Sequence, residues 1–299
     1  MSEDLRPLMF ALAYRMVGSV SDGEDLVQEA HLRMQQALAA GTEIDAPRAY
    51  LTTVVTRLAI DHLRSARVRR ETYPGPWMPE PVVERLDETP AASAELTDSL
   101  SIAYLMLLDQ LSATERAVFL LHDVFGYRFE EIAPMVGRSD AGCRQIAVRA
   151  RRRLDSGLPR FDGDPRRRIE VAEEFLTAFR DGDIDALLHL VAEDAVFVGD
   201  GGGKAAALPE PIHGRDRVVH LVRAFANQNR RLNLVFEPAL VNAQPGAVVR
   251  DLDGLVVTVL GFDIVDGAVQ TIRSIVNPDK IGHLGAVSPL TRRREGSGE

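Results

Sequence analysis

Apolar positions recur at helical spacing through the first half of the chain, and the pattern changes to mixed helices and strands from Ile169 onward. A first helix is expected from about Leu5 to Val17, stopped by Gly18. A second restarts after Asp22, with Asp25 in its first turn, where a carboxylate suits the positive end of the helix. Leu26, Ala30 or Val27, Met34 and Leu38 make its apolar stripe and leave Asp25, Gln28, Glu29 and Arg33 on a polar face, for which a plain solvated surface is sufficient reason. A third helix starts at Asp45 and Pro47. Its β-branched run Thr52 to Thr56 suits a strand, but Leu51, Val54, Val55, Leu58 and Leu63 keep helical spacing and strict alternation is absent. Thr56, Arg57, Asp61, Arg64, Arg67, Arg69 and Arg70 remain available to an anionic partner.

Between 71 and 103 the pattern breaks. Pro74, Pro76, Pro79, Pro81 and Pro90 forbid a continuous helix, so this acidic stretch reads as a linker. The only tryptophan, Trp77, lies within WMPEP, as a docking point or as incidental anchoring. Helical pattern resumes near Ser101, and Ser112 with Glu115 has capping-box spacing. Phe129, Ile132, Ala133 and Val136 then share one face of a short helix that Gly137 ends. Cys143, Ile146, Ala147, Ala150 and Leu154 form the apolar face of the next, with Arg144, Gln145, Arg149, Arg151 and Arg152 mostly elsewhere. Two short helices around a Gly-containing turn, the second cationic outside, read as a helix-turn-helix.

After a breaker-rich stretch at 156–168, two amphipathic helices, a short strand at 195–198, a helix from about Asp216 to Asn227 and four strand-like runs follow. Asp253-Gly254 and Asp266-Gly267 are hairpin turns. Helices on a curved antiparallel sheet would make an α+β cone with a pocket at its wide end. GDGGGKA at 199–205 has one residue too few for a phosphate loop and Ala205 where Ser or Thr is needed, so it reads as a glycine-rich loop bringing Asp200 and Lys204 to another surface. The last dozen residues are expected to form a disordered tail.

The net charge is −9, which argues against nucleic acid until its placement is considered. Six arginines between Arg48 and Arg70 face only Asp61, and six between Arg138 and Arg153 face only Asp140. From 169 onward, 19 acidic residues outweigh 13 basic ones, so the acidity lies away from the two basic helices. Of 35 basic residues only Lys204 and Lys280 are lysine, which suits bidentate phosphate contacts or reflects genome composition. One cysteine, Cys143, excludes an intrachain disulfide and suits a reducing, cytoplasmic setting; no signal peptide or membrane span is visible. The histidines have no metal spacing, and no cofactor is expected. Asp200, Asp251, Asp263 or Arg250 could line the cone as acid and base groups, but no spacing fixes a catalytic set.

DGEDLVQEAHLRM, PRAYLTTVVTRLAIDHLR and ERAVFLLHDVFGYRFEEIAPMVGRSDAGCRQIAVRARRRL resemble regions 2 and 4 of the extracytoplasmic-function sigma factors of the sigma-70 family. WMPEP, DGGGK at 200–204 and NPDK at 277–280 further resemble the subgroup with a fused C-terminal SnoaL-like domain. The resemblance implies a multidomain chain: helical region 2 (1–70), an acidic linker (71–103), region 4 with its helix-turn-helix (104–155), a second linker (156–168), a cone-shaped α+β SnoaL-like domain (169–287) and a tail (288–299). It further implies that core RNA polymerase is contacted by Asp25, Gln28, Glu29 and Arg33, which replaces the solvated-face reading. The −10 promoter element would be contacted by Arg57, Asp61, His62, Arg64 and Arg67, and the −35 element by Arg138, Ser139, Arg144, Gln145, Arg149 and Arg151. Arg57 departs from the Asn that many members carry before the Leu-Ala-Ile-Asp run. Regulatory contacts in cis are expected from Trp77, Pro79, Glu80 and Pro81, from Asp200, Gly201, Gly202, Gly203 and Lys204, and from Asn277, Pro278, Asp279 and Lys280. Asp200, Lys204, Trp77 and Asp279 are the candidate latch; a small-molecule ligand in the cone is the alternative control, and catalysis the remaining one.

Overall fold

Gly18 ends the first helix as its sequence predicts, with φ at 72° and its N–H bonded to the Tyr14 carbonyl. The structure, a computed structural model, describes residues 5–86, 98–155, 157, 161 and 164–291, with only the backbone of 66–71. Helix α1 (Arg6–Val17) is followed by α2 (Val20–Ala39), whose N-cap is Ser19 rather than a residue after Asp22, because the Ser19 hydroxyl accepts the Asp22 N–H at 3.1 Å. Helix α3 (Pro47–Glu71) carries the β-branched run through as helix. Met9, Leu12, Tyr14, Met16, Leu51 and Val55 fill the space between these helices, and burial of such side chains outweighs the weak helix propensity of Val and Thr. Leu38, expected in the buried stripe of α2, is exposed, as is Leu32.

Helices α4 (Ile102–Leu108), α5 (Ala113–Phe119), α6 (Phe129–Val136) and α7 (Asp140–Leu154) join the first three in one unit, made of Met1–Thr72 and Ala103–Leu158. The buried Arg116 guanidinium ties the two stretches together. It donates to the carbonyls of Met16 at 2.7 Å and Leu105 at 2.9 Å and pairs with Asp109 at 2.8 Å. A π-helical turn (Leu120–Val124) separates α5 from the helix-turn-helix.

The second unit is Tyr73–Ile102 with Pro159–Glu299. Of the stretch 71–103 read above as a linker, the strap 73–86 and residues 98–102 therefore belong to the C-terminal fold, and 87–97 lie outside the described residues. Helices α8 (Pro165–Asp181), α9 (Ile184–Leu190) and α10 (Arg215–Leu232) pack on a seven-stranded sheet, in the order β1-β4-β5-β6-β7-β2-β3. The strands are β1 (Val83–Glu84), β2 (Val191–Asp200), β3 (Ile212–His213), β4 (Val235–Val241), β5 (Gln244–Arg250), β6 (Val256–Val265) and β7 (Ala268–Ile275). The short helix α11 (Pro278–Ile281) follows the last strand. Asp266 and Gly267, at φ of 52° and 72°, form the tight turn between β6 and β7 that their sequence called for.

The sheet departs from the antiparallel expectation in one pair. Strands β2 and β7 run parallel, with Gly199 opposite Ser274 and Asp200 opposite Ile275. Both strands therefore end at the same edge of the fold, and the loops leaving them, GGGK and NPDK, emerge side by side. The tail also starts later than expected. The Ser288 hydroxyl donates to Asp251 at 2.6 Å, and Pro289–Thr291 form a 3-10 turn; the rest, from 292, lies outside the described residues.

The Ser112–Glu115 capping box closes as predicted. Burial by itself pushes the Glu115 carboxyl up, but the Ser112 hydrogen bonds and the guanidinium groups of Arg153 and Arg149 outweigh it and hold the carboxyl below its usual range. Ser112→Ala should cost about 1 kcal/mol of stability at neutral pH in chemical unfolding followed by helical circular dichroism. A folded-state value below the unfolded one stabilises at higher pH and is lost in acid, so the difference between variant and parent should narrow as pH falls below about 4.

Candidate nucleic-acid interface and buried strap site

Helix α7 presents the cationic face the sequence promised. Cys143, Ile146, Ala147, Ala150 and Leu154 are buried, whereas Arg138, Ser139, Arg144, Gln145 and Arg149 are exposed. Ser139 is also the helix N-cap, accepting the Gly142 N–H at 3.2 Å. Arg144 lies over the Phe129 ring at 5.6 Å and 3.9 Å from the exposed Glu130 carboxylate, contacts that orient the guanidinium at the surface. Arg151 faces inward relative to the others and pairs with Asp123 at 2.7 Å.

The α3 residues are divided by their surroundings. Asp61 and Arg64 are exposed and pair at 3.3 Å, His62 approaches Asp22 at 3.4 Å, and the Arg67 side chain lies outside the described residues. Arg57 has a specific employment. Its Nη2 donates to the Pro134 carbonyl at 2.7 Å and its Nε to the Met135 carbonyl at 3.1 Å. These are carbonyls of the last turn of α6, which have no partner within that helix, so a cation from α3 satisfies the negative end of the first helix of the helix-turn-helix. On α2, Asp25, Gln28 and Arg33 are exposed beside Leu32, and Glu29 is fixed by Arg33 at 2.7 Å.

The predicted regulatory motifs converge at the common end of β2 and β7. Asp200 is fully buried. Its Oδ1 accepts the Tyr73 hydroxyl at 2.5 Å, and its Oδ2 accepts the Met78 N–H at 2.8 Å and Lys280 Nζ at 2.6 Å. Lys280 Nζ also donates to the Met78 carbonyl and sits 4.6 Å from the ring centres of both Tyr73 and Trp77. Asn277 caps α11 through the Asp279 N–H and donates to the Tyr73 hydroxyl at 2.8 Å. Burial and the Asp200 carboxylate push the Tyr73 phenol far above its ordinary value, so it stays a donor.

Around this centre Met78, Pro79 and Pro81 are buried and Trp77 and Glu80 half-buried. The strap continues as β1 on β4, with Asn242 accepting the Val82 N–H and donating to the Leu100 carbonyl, and with His283 against the Pro81 carbonyl at 2.9 Å. Gly202 and Gly203 are required by the close approach of the strap, and Gly201 by that of Ala205 and Ala207 in its own loop. A Cβ on Gly202 would lie 2.9 Å from the Tyr73 hydroxyl, and one on Gly203 would lie 2.7 Å from Pro74 Cγ, both at positive φ.

Of the candidate latch residues, Asp200 and Trp77 are at the centre. Lys204 and Asp279 pair with each other on the exposed surface, and the cation that reaches Asp200 is Lys280. Tyr73, Met78, Asn242 and His283 were not singled out from the sequence; only Tyr73, an aromatic before a proline in an acidic stretch, carried a signal. The four groups named as possible acid and base are spent elsewhere. Asp251 holds Ser288 and loop amides, Asp263 pairs with Arg273, and Arg250 pairs with Glu237 at 2.9 Å. None of them, nor Asp200, lines the cavity of the cone.

Removing one member of a buried ion pair strands the other, which costs about 3–5 kcal/mol. Lys280→Met and Asp200→Leu should therefore each destabilise the C-terminal unit strongly, and the double variant should lose much less than the sum of the two. Unfolding of the full-length chain followed by the fluorescence of the single Trp77 measures this, and additive losses would refute the coupling.

Comparison with known proteins covers the same three regions. Residues 1–69 match Sigma-70 region 2, residues 101–154 match Sigma-70 region 4, and residues 172–274 match a SnoaL-like domain. The ECF RNA polymerase sigma factor SigJ of Mycobacterium tuberculosis is 38% identical over 98% of this chain and 94% of its own length. The probable ECF RNA polymerase sigma factor SigI of the same species is 32% identical over 94% of this chain and 93% of its own. The crystal structure of Mycobacterium tuberculosis SigJ superposes with a TM-score of 0.75 at 35% identity, covering 97% of this chain and 98% of that one. The family is one of sigma factors, not of enzymes. With regions 2 and 4 followed by a SnoaL-like domain along nearly its whole length, the chain belongs to the extracytoplasmic-function RNA polymerase sigma factors.

Proposed function

We propose that this chain directs core RNA polymerase to promoters in the cytoplasm, that α7 reads the −35 element and α3 the −10 element, and that the C-terminal domain controls this in cis. The observation that carries the DNA reading is the exposed set Arg138, Arg144, Gln145 and Arg149 on the second helix of a helix-turn-helix whose opposite face is buried. Asp25, Gln28, Glu29 and Arg33 are the polymerase-facing residues in this reading. Their side chains surround the exposed Leu32 on one face of α2, a surface of mixed charge and apolar character open to a protein partner.

Control in cis follows from two placements. Arg57, assigned to the −10 side, is occupied by the last turn of α6. A helix-turn-helix held on α3 cannot reach a separate element along the duplex, so this is a closed arrangement of the two DNA-facing helices. Of the chain that joins them, residues 73–86 and 98–102 are bound along the C-terminal fold. Released, a stretch of about 30 residues could span roughly 100 Å, whereas the residues held on the fold add nothing to that reach. The Asp200–Lys280 centre thus sets how far region 4 can travel from region 2. Trp77, Pro79, Glu80, Pro81, the glycines 201–203, Asn277 and Pro278 serve that centre, while Lys204 and Asp279 fasten the two loops to each other.

Arg144→Ala and Arg149→Ala should each weaken binding to a −35 duplex, and each should reduce the slope of log affinity against log salt by about 1. Unchanged affinity and slope would remove α7 from the promoter. Arg57→Ala should open the helical unit: with fluorophores at Gln36 and Arg152 of the full-length chain, energy transfer should fall, and transcript yield from one promoter should change severalfold, as it should for Lys280→Met. Unaltered transfer would refute the closed arrangement; lowered transfer with unaltered yield would refute its regulatory role.

A further inference from the structure

The cone of the C-terminal fold encloses a cavity of about 660 Å³ whose lining, from α8, α10, the sheet, the glycine loop and Pro74–Pro76 of the strap, contains no charged side chain. The volume falls within the range of small-molecule sites, roughly 300–1,000 Å³. Its walls are aromatic: Phe175 against Phe262 at 5.3 Å, Phe179 against Phe236 at 5.2 Å and Phe197 against Phe225 at 5.6 Å between ring centres. Phe225 is 37% exposed although Val222 and Asn229 on the same face of α10 are buried, so part of this wall is apolar surface left in contact with solvent.

One polar group in the lining is in an unusual state. Asn229 is only 9% exposed, and its Oδ1 has no hydrogen-bond partner among the described residues. A buried amide oxygen without a donor costs stability. Leucine would fill the same space without that cost. The oxygen is an acceptor for which the described residues supply no donor.

We propose that this cavity binds a neutral ring-bearing molecule that presents one hydroxyl or N–H donor to Oδ1 of Asn229. The aromatic walls favour a flat ring system through stacked and edge contacts. A carboxylate, phosphate or ammonium group would enter an apolar enclosure without a counter-charge, so charged ligands are rejected. Pro74, Gly75 and Pro76 form part of the wall, so occupancy is felt by the strap within a few residues of Trp77 and Met78. That consequence rests on the cis-control reading above; the binding itself does not.

The test uses three fluorescent probes of one shape, hydroxypyrene, methoxypyrene and pyrene sulfonate, titrated into the full-length chain at pH 7. Hydroxypyrene should saturate a single site and light up by energy transfer from Trp77. Methoxypyrene, which cannot donate, should bind about tenfold more weakly, equivalent to about 1.4 kcal/mol, and the sulfonate should not saturate. Asn229→Ala should bring hydroxypyrene down to the level of methoxypyrene and leave methoxypyrene unchanged. Equal affinity of the hydroxyl and methoxyl probes for the unaltered chain, saturable binding of the sulfonate, or binding without transfer from Trp77 would overturn the proposal, whether or not the variant folds. Probe binding as stated with no change in transcript yield would leave the site standing and remove the strap's regulatory role.

Discussion

The C-terminal fold and its strap depend on one buried charge. Asp200 lies at the end of β2 with no access to water, and an isolated carboxylate there would be prohibitively costly. It is compensated by Lys280 from the far end of the chain and by two groups of the strap, the Tyr73 hydroxyl and the Met78 N–H. Each of these partners is likewise committed: Lys280 to the Met78 carbonyl and to two aromatic faces, Tyr73 to Asn277. Lifting the strap from the domain therefore exposes or strands a lysine and a carboxylate together. That gives the contact an all-or-none character of the kind a switch needs.

The helical unit contains a weaker tie of the same nature. The Arg57 guanidinium caps the last turn of α6 while remaining largely exposed, so its two bonds form at a surface where water competes for both partners. Arg116 differs in being buried and bonded to two carbonyls and a carboxylate, which makes it part of the framework. The contrast separates what holds the helices together from what can let them part. An arginine at 57 thus satisfies the carbonyls of the helix-turn-helix in the closed arrangement and carries a charge suited to DNA in an open one.

The cavity links to the strap through shared wall. Pro74 to Pro76 border it on one side and lead directly into Trp77 and Met78 at the Asp200 centre. A molecule held at Asn229 would change the packing of these residues without touching the ion pair. The two levers on the strap, burial in the cone and the charge at its rim, are physically distinct.

The sequence by itself determined the helices, the helix-turn-helix and the motif set, because these rest on short-range periodicity: the α7 stripe from Cys143 to Leu154, the Ser112–Glu115 cap and the Asp266-Gly267 turn are fixed by residues within a few positions of one another. It also marked Asp200, Trp77 and Lys280 as residues of interest. What it could not give was their pairing. The segment Pro74–Pro81 reads as part of a linker because nothing local reveals that a strand edge, Asn242 and a buried lysine wait for the strap far along the chain. Lys204 was the cation nearest Asp200 in sequence, yet the parallel pairing of β2 with β7 brings Lys280 to it instead. Parallel pairing is a property of the whole domain, since its partners are separated by α10 and four further strands. The same topology encloses Asn229 in an apolar cone and leaves its oxygen without a donor among the described residues, which only the packed structure decided.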